Sequence, residues 1–79
     1  MNATQKKFLE TWNTPETSGA FAGMTGLDFL RDQVADQEAE YRSEVDAYGD
    51  AGPGAAVRLA NAKAQLARIE RTVKKLLTK

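Results

Sequence analysis

The strongest constraint on this chain is a row of apolar residues near its C-terminus. Leu59, Ala62, Leu66, Ile69, Val73 and Leu76 alternate spacings of three and four, and Leu77 widens the row. That spacing puts the apolar side chains on one face of an α-helix. It has the form of a coiled-coil seam in which Ala62 allows close approach. A helix is predicted from about Gly54 to Leu77, about 36 Å long at 1.5 Å per residue. Such a helix draws its stability from covering its apolar face, so another element must pack on it.

The covering elements can be read from the punctuation upstream. "YGDAGPGAA" is a loop, with Gly49 as a C-cap and Pro53 or its neighbours opening the last helix. Before it, Leu27, Leu30, Val34, Tyr41, Val45 and Tyr48 follow helical spacing, with Gln37 as an interruption. Thr25 caps this helix, and Asp28 three residues on completes a capping box. Two long helices joined by about five residues form an antiparallel hairpin. At the other end of the chain, Asn2 and Gln5 make a second capping box, and Phe8, Leu9 and Trp12 share a face. A helix over about Ala3 to Trp12 follows. Thr14 and Pro15 then predict a short helix to Ala22, ended by Gly23. Phe29 points out of the hairpin seam, so its partner should come from Phe8, Leu9, Trp12, Phe21 or Met24. No alternating β run competes. The expected fold is all-α and a single domain over 1–79. A small two-helix N-terminal cap (1–24) sits on a long antiparallel helical hairpin (25–79).

The residue inventory narrows the chemistry. The chain has no cysteine and no histidine, which removes disulfides, thiolate nucleophiles, the usual zinc sites and imidazole acid–base catalysis. Carboxylate or lysine catalysis would need a sheltered cleft to shift a pKa, and a helical chain of 79 residues has little interior to offer. No enzyme activity, catalytic residue, cofactor, metal or small-molecule substrate is therefore expected. No apolar run approaches the roughly 20 residues of a membrane span. "MNATQKKFLETW" lacks the apolar core of a signal peptide. The expectation is a cytoplasmic protein with no membrane partner.

The formal net charge is zero, but the charges are sorted along the chain. Residues 28–50 hold eight acids against Arg31 and Arg42, and residues 54–79 hold seven bases against Glu70. Segment-wise sorting is informative where the total is not. Asp28, Asp32, Asp36 and Glu40 form an i,i+4 ladder that repels itself within one helix. It serves either as a solvated face that pairs with the neighbouring arm, or as a docking face for a basic partner or a mimic of nucleic-acid charge. The carboxylates stand in a row and do not surround an ion, which argues against calcium. Lys63, Arg68, Arg71, Lys74, Lys75 and Lys79 spread over the outer side of the last helix. Without interleaved aromatics they are no base-stacking platform. A solvated face is favoured there, with tracking of nucleic-acid phosphate or of an acidic membrane surface as the alternative. No bulky apolar residues stand on that side to insert into a membrane. The seam itself is wider than one partner helix covers. That surplus predicts a protein partner, first of all a second copy, meeting Leu59, Leu66, Ile69, Val73, Leu76 and Leu77.

A further feature is the stretch around Gly23. Gly23 followed by Met24, with Phe29 six residues beyond Gly23 and "QKKFLETW" in front, resembles a helix-turn-helix. Over about the first 45 residues it is similar to the N-terminal domain of phage terminase small subunits. That resemblance implies DNA recognition by such a domain, followed by helical oligomerisation segments, in a phage assembly or virion setting. Carried onto this chain, it makes Lys6, Lys7, Thr25 and Arg31 the DNA contacts. The departures are Gly19 where the motif has a small residue before its turn, and Asp32 where a buried apolar residue is usual. The acidic run beyond Arg31 also opposes phosphate contact, so nucleic acid is the disfavoured partner. Three readings result: a non-enzymatic, self-associating assembly module; a DNA-binding helix-turn-helix protein; and a small inhibitor whose acidic face occupies a basic groove.

Overall fold

The computed structural model describes residues 1–78. It is all-helical, with α1 at Ala3–Asn13, α2 at Gly26–Tyr48 and α3 at Ala55–Leu77, and no strand among the described residues. Two of the three helix starts are fixed by reciprocal side-chain caps. The Gln5 amide donates to Asn2 Oδ1 at 2.8 Å, and the Asn2 amide donates to Gln5 Oε1 at 3.0 Å. At α2 the Asp28 amide donates to Thr25 Oγ1 at 3.1 Å, and the Thr25 amide donates to Asp28 Oδ2 at 3.0 Å. Each box satisfies two amides that the first turn of a helix leaves without partners. Gly49 ends α2 in the left-handed region (φ 76°), its amide donating to the Val45 carbonyl at 2.7 Å. The start of α3 differs: Gly54 precedes it at φ 75° and provides no side-chain cap.

The helix expected over 15–22 does not form. Residues 14–25 are an irregular loop, which corrects the two-helix cap to one helix followed by a loop. Thr17, Ser18 and Gly19 stand together and are poor helix formers, and an eight-residue helix is too short to offset them. The loop satisfies its backbone in another way. The Glu16 amide donates to the Met24 carbonyl at 2.9 Å, and the Gly23 amide donates back to the Glu16 carbonyl at 2.9 Å. These two bonds bring the loop's ends together and turn it back on itself at Gly19, which sits at φ 86°.

α2 and α3 lie side by side with opposite sense. Arg31, near the start of α2, reaches Glu70 near the end of α3 (3.2 Å), and Glu38 reaches Lys63 further along (3.1 Å). The core gathers at the α1 end, where buried Leu27, Ile69 and Val73 are packed by Phe8, Leu9, Trp12, Leu30 and Leu66. α1 therefore supplies the second cover for the wide stripe of α3. Toward the α2–α3 loop only Leu59 is buried among the described residues. Phe29 does find its partner in the N-terminal segment: Phe21 sits edge-on to it with ring centroids 5.0 Å apart.

The shape is long and thin, 48 × 27 × 17 Å, with a radius of gyration of 15.7 Å. A compact domain of this length would have a radius near ~12 Å.

Candidate functional site

The side chains of the apolar seam lie mostly inside the chain. Leu59, Ile69, Val73 and Leu76 are buried, and Leu66 is half-buried against the core. Leu77 alone of the six is well exposed, at 55%. The large apolar side chains left to solvent among the described residues are instead Met1, Phe21, Tyr48 and Val57, together with Leu77 and, at the margin, Phe29.

The charged faces carry the second set of candidates. Asp28 is occupied locally: it caps α2 and meets Arg31 Nη1 at 3.4 Å. The Thr25 backbone amide, then the Thr25 hydroxyl and the Arg31 charge, hold its carboxyl below the ordinary aspartate range. Glu38 is held low by Lys63, with Arg42 adding its charge. The remaining acids of the ladder behave differently. Asp32, Asp36 and Glu40 are exposed and make no ion pair among the described residues. The same holds for Arg68, Arg71, Lys74 and Lys75 on α3, while Lys79 lies outside the described residues. Neutralisation of the acidic arm by the basic one, expected from the sorted charges, is thus limited among the described residues to Glu38–Lys63. The other inter-helix pair, Arg31–Glu70, joins the one base near the start of the acidic helix to the one acid of the basic helix.

Helical geometry explains the separation. Asp32, Asp36 and Glu40 project from the side of α2 opposite Leu27 and Val34, and Arg68, Arg71 and Lys75 from the side of α3 opposite Ile69 and Val73. The two sets face outward on opposite flanks of the molecule. The acids remain a row, and among the described residues no three acidic side chains converge on a point that could hold a metal ion.

Of the residues drawn from the helix-turn-helix resemblance, Lys6 and Lys7 are exposed on α1. The Thr25 hydroxyl is engaged in its cap, and Arg31 is shared between Asp28 and Glu70. A concave region of about 620 Å³ runs past Asn13, Thr25, Arg31, Glu70, Lys74 and Leu77 and is open to solvent. A smaller groove of about 300 Å³ lies near the α2–α3 loop, along Gln37, Tyr41, Glu44, Ala55, Arg58 and Leu59. No helix among the described residues is long and apolar enough to cross a membrane. Comparison with known proteins finds no matching family model, no matching curated protein and no matching solved structure.

Proposed function

We propose that this chain is a non-enzymatic helical interaction module that works by associating with copies of itself. In this reading α2 and α3 act as one antiparallel helical hairpin, and α1 with its following loop caps one end. One observation carries the reading. The chain exposes 5857 Å², whereas a compact monomer of this size should expose about 4,700 Å². The excess, roughly 1,200 Å², is larger than the ~800 Å² that each partner contributes to a standard protein interface. No side chain of the core is completely shielded from solvent, as expected of a fold whose burial is unfinished in one chain.

The resemblance to terminase small subunits supports a phage assembly or virion setting for such a module. The DNA-binding alternative would act through Lys6, Lys7, Thr25 and Arg31. Molar mass in solution, measured by light scattering over a hundredfold range of concentration, separates these readings. A species larger than one chain that persists on dilution is expected. A monomer at every concentration would remove self-association, and duplex binding by that monomer that weakens steeply with salt would support the DNA reading instead.

A further inference from the structure

We infer that copies assemble side by side, the outer face of α2 in one copy seated on the outer face of α3 in the next. The inference rests on the self-association proposed above and names its surface and symmetry. Among the described residues each chain presents two exposed helix faces, the one on α3 bordered at Lys75 by Thr4, Gln5 and Phe8 of α1. On α2, Asp32, Asp36, Glu40, Ser43 and Ala47 fall at steps of four, four, three and four, one stripe of a helix. On α3, Val57, Ala60, Ala64, Arg68, Arg71 and Lys75 fall at steps of three, four, four, three and four. All eleven residues are exposed.

Each stripe is charged over one half and small over the other, and the halves match in antiparallel register. With Ala47 opposite Ala60, Ser43 falls opposite Ala64. The same register sets Glu40 beside Arg68, Asp36 opposite Arg71 and Asp32 opposite Lys75. The acidic span covers about 12 Å of helix and the basic span about 10 Å, at 1.5 Å per residue. Small residues at the far half let the helix axes approach to about 8 Å. The aliphatic stems of Arg71 and Lys75 then lie along the partner helix while their charges reach its carboxylates. Single exposed ion pairs contribute little, but a complete row sets which face meets which, because the opposite choice puts like charges together. These are also the charges that find no ion-pair partner among the described residues of their own chain.

The contact uses different faces on its two sides, so it is heterologous. A copy added at one flank presents a fresh acidic or basic face, and growth ends only when a ring closes. The assembly should therefore exceed a dimer and should weaken as salt rises.

The test is a charge swap read by light scattering, with circular dichroism as the check on folding. Asp32→Lys with Asp36→Lys should weaken association at least ~100-fold, and so should Arg71→Glu with Lys75→Glu, since each puts like charges along the contact. An equimolar mixture of the two variants should reassemble, because each altered face complements the other variant's. A single chain carrying all four substitutions, with its net charge unchanged, should assemble alone. A wild-type oligomer that tolerates either reversal, or that stops at a dimer, would overturn this contact and leave self-association standing. Reversed variants that stay monomeric when mixed would overturn it too. A wild-type monomer at all concentrations would overturn both.

Discussion

A Cβ added to Gly26 would run into the carbonyl oxygen of Thr11 and press on the ring of Trp12. This glycine opens α2 at the point where α1 crosses it, and its backbone is not in the left-handed region. Propensity alone would favour alanine here by up to about 1 kcal/mol. Overlap with a backbone oxygen cannot be relieved by a side-chain rotation, and displacing the helix costs about 1–3 kcal/mol. The collision should win, so Gly26→Ala should lower the urea midpoint; a raised midpoint would show that α1 shifts at no cost. On either side of Gly26, Thr25 and Asp28 give a prediction that depends on pH. The carboxyl of Asp28 has a lowered pKa in the folded chain, first through the Thr25 amide. Its contribution is therefore complete above the ordinary aspartate value of about 3.9 and is lost as pH falls through the folded value. Thr25→Ala should cost about 1 kcal/mol near neutrality. Asp28→Asn should flatten the loss of stability on acidification; an acid limb as steep as that of the wild-type chain would show that the cap does not titrate with folding.

Among the elements, those whose ends carry their own chemistry were readable in advance. The boxes Asn2/Gln5 and Thr25/Asp28 and the left-handed Gly49 act within a few residues of themselves, so the starts of α1 and α2 and the end of α2 follow from local sequence. The three-and-four spacing of α3 is equally local and gives the element its type and its buried face. Residues 15–22 carry the same kind of signal in Thr14 and Pro15, but a first turn cannot propagate through Thr17, Ser18 and Gly19. The bond from Glu16 to Met24 that replaces it joins residues eight apart and leaves no mark in the spacing of side chains. The candidate surfaces divide in the same way. The outward acidic row is visible from its i,i+4 spacing. That the apolar seam is covered within the chain is not visible, because it depends on α1 lying across α3, a tertiary choice among several apolar partners. Nor does sequence reveal that Arg31 and Glu70 exchange arms.

At the scale of the whole molecule, the core is lopsided. Three elements meet at the α1 end, while the other end has two helices, three glycines with positive φ between Gly49 and Gly54, and no side-chain cap on α3. Opening free energies should therefore be graded along the long axis, with amides nearest the α2–α3 loop exchanging first. The chain's single tryptophan, Trp12, packs into the three-element end, with Phe8 6.5 Å away in ring-centroid distance. Its emission is a built-in optical reporter for one pole, whereas circular dichroism sums helix over the full length of the molecule. Heating should move the dichroism signal before the fluorescence, and two coincident curves would mean that the slender molecule melts as a single cooperative unit.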